Sequence, residues 1–303
     1  MNNTELKSEF KERIVDAIRD YSFKFRTAKA QAISLDINPA QFSRILNGET
    51  DRVISDDKWL QIANKYNVPE SPYQFIWQTA KTIVFNEIME MLDSCQELSI
   101  SGILCDEADI GKSFVAKYYV SQHQGAVYID CSKCKNRTAF VRQLAKEFGL
   151  DSNIRISEIQ KDLCQYINSM RTKPLIILDE AGDLDYPAFL EIKALWNATE
   201  NKCGWFMMGA DGLKFKIDRN RNLQKVGFTE IFSRMGNRYQ RITPLAEAER
   251  IAFLKQEVAA ITIANNSRYN PREMWLRTHG SLRRVYIEIK REKADLKAIN
   301  VAV

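Results

Sequence analysis

Four consecutive apolar residues, Leu175-Ile176-Ile177-Leu178, run into the acids Asp179-Glu180, and about 65 residues earlier stands Gly111-Lys112-Ser113. An unbroken apolar run of this length, rich in β-branched residues, is the signature of a strand buried on both faces, which is the environment of a parallel sheet. Parallel strands need crossover helices, so the rest of the chain must supply alternating strands and helices. It does so. Strand-like runs stand at 98–104, 126–130, 175–178 and 205–208, with a short one near 240–242, and helical spacing fills the intervals. The spacing predicts an α/β fold with a parallel sheet, a helix at 79–92 leading into it, a helix at 114–120 and only helices after 243.

The segment Cys105 to Ser113 lies between a strand and a helix, as a phosphate-binding loop must. Backbone N–H groups and the helix start cradle phosphates, Lys112 reaches terminal phosphate oxygens and the Ser113 hydroxyl ligates Mg²⁺. Asp109, Ile110, Gly111, Lys112, Ser113 and Phe114 are therefore the expected nucleotide-binding residues, with ATP and Mg²⁺ as cofactors. One departure stands out: the first glycine of G-x-x-x-x-G-K-S falls at 106, which is Asp106 here. That substitution removes backbone freedom and, with Glu107 and Asp109, sets three carboxylates beside a polyanion. The strand ending in Asp179-Glu180 completes a Walker B pattern. Asp179 would hold the metal through water and Glu180 would polarise the attacking water.

The first 67 residues read as a compact helical unit, with helical spacing at 5–19, a segment at 27–35, a turn at 36–38, a second segment at 39–48 and a closing helix at 56–66. Pro39 and Gly48 punctuate the second segment at its two ends. Pro69 and Pro72 oppose continued helix, so 68–78 is expected to be a linker, with a sheet-bearing domain at 79–243 and a helical region at 244–303. No apolar run approaches the roughly 20 residues that span a bilayer, and no secretory signal opens the chain, so a cytoplasmic protein without a membrane partner is expected. Six cysteines in such a chain should be reduced thiols. Cys131 and Cys134 have the spacing of half a zinc site, but no second pair matches them and His123 and His279 are distant; metal ligation and an ordinary loop both stay open.

A net charge of +5 is modest, but its distribution is uneven: Lys214, Lys216, Arg219, Arg221, Lys225, Arg234, Arg238 and Arg241 face only Asp218 and Glu230. Such a stretch suits an anionic partner, a subunit interface or solvent. A second basic group, Lys133, Lys135 and Arg137, follows the second strand and is a candidate for sequence-independent phosphate contact with DNA.

With the two nucleotide motifs in place, the chain resembles the AAA+ superfamily over residues 80–297, as a P-loop sheet with a helical lid. The resemblance implies a residue that senses the γ-phosphate after the fourth strand, where Asp211 stands. It implies an arginine finger, Arg234 or Arg238, offered to the nucleotide of a neighbouring subunit, and a sensor arginine in cis, Arg283. ATP hydrolysis would then need a homo-oligomer, a ring or a helical filament. The first 67 residues resemble a repressor-type helix-turn-helix, with Ala32, Ile37, Ser43, Ile45 and Gly48 at characteristic positions; Asn38, Ala40, Gln41 and Arg44 would face a DNA groove. A helical module for protein contacts is the alternative. The combined architecture resembles the family of the B protein of phage Mu and similar transposon target-selection ATPases. That resemblance implies double-stranded DNA and a transposase as partners, in a bacterial cell, phage or mobile element. A replication-initiation or helicase-loading ATPase, or a sequence-specific regulator with a degenerate nucleotide fold, are the alternatives.

Overall fold

The computed structural model describes residues 6–70 and 77–301. Part of the expected linker therefore lies outside the described residues. The N-terminal unit consists of α1 (Ser8–Asp20), α2 (Ala28–Ser34), α3 (Pro39–Leu46) and α4 (Asp56–Tyr66). Side-chain caps set its boundaries: Thr27 accepts from Ala30 N–H, Asn38 from Ala40 N–H and Ser55 from Lys58 N–H. Between α2 and α3 the chain turns at Asp36, φ 59°, a conformation that aspartate tolerates better than most residues. Phe10, Ile14 and Ile18 of α1 meet Ala32, Ile37, Phe42, Ile45, Trp59 and Ile62 in a core of their own.

The second unit runs through α5 (Ile83–Leu98), β1 (Ser101–Cys105), α6 (Lys112–Gln122), β2 (Ala126–Asp130), α7 (Arg137–Glu147), α8 (Ile156–Asn168), β3 (Leu175–Asp179), α9 (Tyr186–Ala198), β4 (Gly204–Gly209), α10 (Asp211–Asn222) and α11 (Phe228–Arg234). The four strands are parallel in the order β1-β4-β3-β2. One face of the sheet, with Leu104, Ile177, Phe206 and Met208, packs on α5 and α6 through Ile88, Leu92, Val115 and Tyr119. The other, with Ile129, Ile176, Leu178, Trp205 and Met207, packs on α7 and α9 through Phe140, Leu144, Phe189 and Ile192. Every residue of β3 is buried, as its unbroken apolar run requires. The chain closes with α12 (Glu247–Ala264), α13 (Pro271–Thr278) and α14 (Leu282–Val301), packed around Val258, Met274, Val285 and Ile289. Among the described residues no helix is long and apolar enough to cross a membrane.

Several expected bounds differ. The helix expected at 79–92 starts only at Ile83, behind the Thr82 cap, and runs on to Leu98. The strand expected at 98–104 begins only at Ser101, because α5 continues to Leu98 and Ser99 stops it in the left-handed region, φ 53°. The strand expected near 240–242 is reduced to a single parallel bridge between Leu104 and Gln240. Gln240 N–H donates to Ile103 O (2.8 Å) and its carbonyl accepts from Cys105 N–H (3.0 Å), but the N–H of Ile242 is taken by the Asp106 side chain instead of a ladder.

The two units touch through α2 and α7. A Cβ on Gly149 would stand 2.5 Å from the carbonyl oxygen of Ala30, so only a glycine permits this approach, and its φ of +71° also favours one. Around that point Lys65 pairs with Glu147 (3.4 Å), Lys146 with Asp36 (3.6 Å), Lys24 donates to Val120 O, and the Arg26 guanidinium lies 4.3 Å from the Tyr166 ring. This contact uses the α2–α3 turn and leaves Ala40, Ser43 and Arg44 of α3 exposed.

Candidate functional site

At the carboxyl end of β1 the chain enters a loop that closes at Gly111, φ 94°, where α6 begins with no side-chain cap. A Cβ on Gly111 would meet nothing within 4 Å, so this glycine answers to backbone conformation and not to space. The uncapped first turn of α6 leaves N–H groups directed at the loop, an arrangement that receives anions. Ile110 is buried in the sheet core and anchors the loop from below, while Ser113 is half-buried and Phe114 exposed. Lys112 is 8% exposed and folds its amine back onto the carbonyl oxygens of Asp106 (2.9 Å) and Glu107. Burial lowers its pKa, and the negative fields of Asp106, Glu180 and Asp179 oppose that shift. A cationic amine held among carbonyl oxygens and acids is poised to exchange them for phosphate oxygens.

Sequence raised the three loop acids as a difficulty, and each is satisfied by residues from segments that follow β4 in the chain. Asp106 is fully buried yet keeps an ordinary φ, so the backbone does not require glycine there. Its carboxylate accepts from the N–H groups of Glu107 (2.7 Å), Ile242 (2.7 Å) and Thr243 (2.9 Å) and from the Thr243 hydroxyl, with Arg241 3.8 Å away. Glu107 pairs with Arg241 (3.1 Å) and Arg250 (3.2 Å). Asp109 adopts φ 66° and accepts from the Ser281 hydroxyl (2.6 Å) and the Arg283 N–H (3.0 Å), with the Arg283 guanidinium at 3.6 Å. The acids thus stitch the loop to the segments after β4. No signal in the local sequence announces these partners, which stand more than 130 residues away in the chain.

The second motif sits two strands over. Asp179 is 3% exposed at the end of β3; one carboxylate oxygen accepts from the Glu180 N–H (3.0 Å) and the other from the Tyr128 hydroxyl (2.6 Å). Tyr128 was not foreseen. It faces Ile177 in the β2–β3 register, so it lies diagonally beside Asp179 on one face of the sheet, and only the register reveals that. Glu180 holds a left-handed φ of 49° with an exposed side chain. Desolvation first, and the neighbouring Asp179 charge second, raise its carboxyl pKa, while Lys112 acts in the opposite sense. Asp179 and the Ser113 hydroxyl offer the hard oxygen donors that suit Mg²⁺.

The remaining candidates separate into those near this centre and those far from it. Asp211, first residue of α10, reaches Arg241 at 3.9 Å, which ties the end of β4 to the same arginine as Glu107. Arg283 lies at the start of α14, its side chain 82% exposed. Arg234 stacks on Trp196, 5.1 Å from the ring, and Trp196 bonds the Ser101 hydroxyl at the opposite end of β1 from the loop. Arg234 therefore stands toward the Ser101 end of β1, a strand about 13 Å long at about 3.3 Å per residue. Arg238 is exposed. Most of the basic stretch is engaged internally: Lys214 lies over Tyr239, Arg221 over Phe232 and Lys225 over Tyr186, and Lys216 donates to Gly182 O and Leu184 O.

In the loop after β2, Lys133 pairs with Asp130 (2.9 Å) and Lys135 with Asp183 (2.9 Å), both remaining exposed. Arg137 bonds the buried carboxylate of Glu191 at 2.7 Å. On α3, Asn38 caps its own helix, Gln41 donates to Val53 O (2.7 Å) and Arg44 pairs with Glu49 (2.8 Å). All six cysteines are free thiols, and among the described residues no cluster of His, Cys, Asp and Glu could hold a metal.

Residues 100–217 match the AAA domain family. The AAA domain so defined begins at β1 and ends within α10, and it contains the phosphate loop and the Asp179-Glu180 pair. No curated protein matches the chain by sequence. The Aeropyrum pernix ORC2 protein, seen in ADPNP–ADP complexes, superposes with a TM-score of 0.54 at 16% identity, over 72% of this chain and 63% of that one. This chain thus spans less than two thirds of that protein, and the likeness is one of fold. The Thermotoga maritima RuvB Holliday junction branch migration motor is 14% identical over 74% of this chain and 73% of that one, with a TM-score of 0.30.

Proposed function

We propose that this chain is an ATPase whose nucleotide-bound form assembles as a homo-oligomer on double-stranded DNA. One observation carries the reading: Lys112, the first residue of the uncapped helix α6 that follows the β1 loop, is buried with its amine on that loop's carbonyls and within the fields of Asp179 and Glu180 at the end of β3. ATP with Mg²⁺ would supply a γ-phosphoryl group activated for transfer to water. The first-turn N–H groups of α6 would bind the phosphates, Lys112 would leave its loop carbonyls to meet them, and Ser113 and Asp179 would hold the metal. Tyr128 orients Asp179. Glu180, its pKa raised, withdraws a proton from the attacking water. Asp211 and Arg283 approach from the end of β4 and from a lid formed by α12, α13 and α14.

Arg234 lies at the opposite end of β1 from its own loop and Arg238 is exposed, which supports an arginine offered to a neighbouring subunit and not to this one. Arg238, free of a stacking ring, is the better placed of the two. Largely sequence-independent DNA binding is supported by the exposed lysines Lys133 and Lys135 on the loop after β2, and by Gln41, a base-reading candidate whose amide is already bonded to Val53 O within the N-terminal unit. An N-terminal helix-turn-helix, a compact ATPase domain and a short lid together favour a role in transposition, as a target-DNA selector that activates a transposase.

Electron microscopy of the protein with random-sequence duplex DNA and a non-hydrolysable ATP analogue tests the reading. It predicts continuous filaments or rings on DNA only when the nucleotide is present; isolated protein on DNA under both conditions would remove it.

A further inference from the structure

The first-turn N–H of Arg283 in α14 already has an anion, and that anion belongs to the phosphate loop. One oxygen of Asp109 accepts from the Arg283 N–H at 3.0 Å and lies 3.6 Å from its guanidinium; the other accepts from the Ser281 hydroxyl at 2.6 Å. A helix start attracts a carboxylate in the way it attracts a phosphate. The carboxylate comes from a residue in the left-handed region, φ 66°, which aspartate tolerates better than most residues. Among the described residues its side-chain partners are Ser281 and Arg283, 172 and 174 residues further along the chain.

We propose that Asp109 is a positioning residue that latches the start of α14, and with it Arg283, onto the phosphate loop. The inference rests on the nucleotide reading above for its consequence but not for its existence. A polyphosphate entering the loop brings negative charge to the place where Asp109 holds Arg283, so the two anions compete for one cation and one helix start. Nucleotide binding therefore has to release the latch, and part of the binding free energy is spent on that release. Glu107, bonded to Arg241 and Arg250, is a second tie between the loop and the segment after β4 and keeps the loop in place once Asp109 lets go. The acidic loop that looks unsuited to a polyanion becomes a threshold: weak anions leave the latch closed, and a ligand with several phosphate charges opens it.

The test uses the full chain with Asp109→Asn and, as a second route to the same contact, Ser281→Ala. In nucleotide-free protein, amide hydrogen exchange at 282–285 should rise about tenfold in Asp109→Asn and less in Ser281→Ala, with exchange in β1 and β3 unchanged. Titration with a fluorescent ATP analogue and Mg²⁺ should then show at least about fivefold tighter binding by Asp109→Asn, because the competent state no longer has to be opened. Simple damage to the loop would weaken binding, so the direction separates a latch from a structural role. Unchanged exchange at 282–285, or unchanged or weaker analogue binding by Asp109→Asn relative to wild type, overturns the proposal. If neither protein binds the analogue, the nucleotide reading falls, and the exchange result alone decides whether Asp109 is a latch.

Discussion

Asp106 grips Thr243 by two bonds: its carboxylate accepts the backbone N–H at 2.9 Å and the side-chain hydroxyl as well. The residue that stands where a phosphate loop begins with glycine is thus a buried strut, joining the end of β1 to the segment that leads into α12. Motif logic alone would expect a glycine there to improve the site. The strut predicts the reverse. Asp106→Gly strips the N–H groups of Ile242 and Thr243 of their acceptor, at roughly 1–3 kcal/mol for each buried group left unpaired. Chemical denaturation should show a lower midpoint, and nucleotide affinity should fall with it; an equal or higher midpoint would contradict the role.

Tyr128→Phe keeps the ring and removes one hydroxyl, the donor to Asp179. Hydrogen bonds behind a metal ligand commonly contribute 10–100-fold to metal affinity or activity. The variant should fold normally and need about 10-fold more Mg²⁺ for half-maximal ATP hydrolysis. An unchanged Mg²⁺ dependence would leave Tyr128 as packing alone.

Glu180 has its carboxyl raised by desolvation and by Asp179. As the base it must be ionised, so hydrolysis is lost as pH falls through a pKa above the ordinary glutamate value of 4.5. Asp183 adds to the upward shift, so Asp183→Asn should move the acid limb of the kcat profile to lower pH. Glu180→Gln should abolish that limb together with turnover while ATP still binds. Turnover at the normal rate in Glu180→Gln would assign the water-activating role elsewhere.

Gly149→Ala places a Cβ 2.5 Å from the Ala30 carbonyl and forces alanine into a left-handed φ of +71°. Both effects act on the contact between α2 and the end of α7. Small-angle scattering should record a larger radius of gyration with secondary structure unchanged by circular dichroism. An unaltered scattering curve would show that the contact tolerates the methyl group.

The parallel sheet was legible because its signals are local. The apolar run 175–178, the strands at 126–130 and 205–208 and the helix 56–66 need only residue type and spacing, and all four stand within a residue of their expected bounds. The placement of Lys112, Asp179 and Glu180 was legible for the same reason, since a loop between strand and helix has to stand at the carboxyl end of the sheet. The partners of the loop acids were not legible. Asp106, Glu107 and Asp109 read as three repulsive charges until tertiary structure brings Thr243, Arg241, Arg250 and Ser281 beside them. The rings that take up Lys214, Arg221, Lys225 and Arg234 in the basic stretch were not legible either, because they are set by helix packing.

The central claim is that Lys112 and its loop bind the phosphates of ATP. Calorimetric titration of the wild-type chain with ATP and Mg²⁺, beside Lys112→Ala, tests it most directly. Wild type should bind one ATP per chain, and Lys112→Ala should lose binding by at least about 30-fold, since charge-assisted bonds to phosphate contribute more than neutral ones. Equal affinity in the two proteins, or no binding by either, would contradict the account.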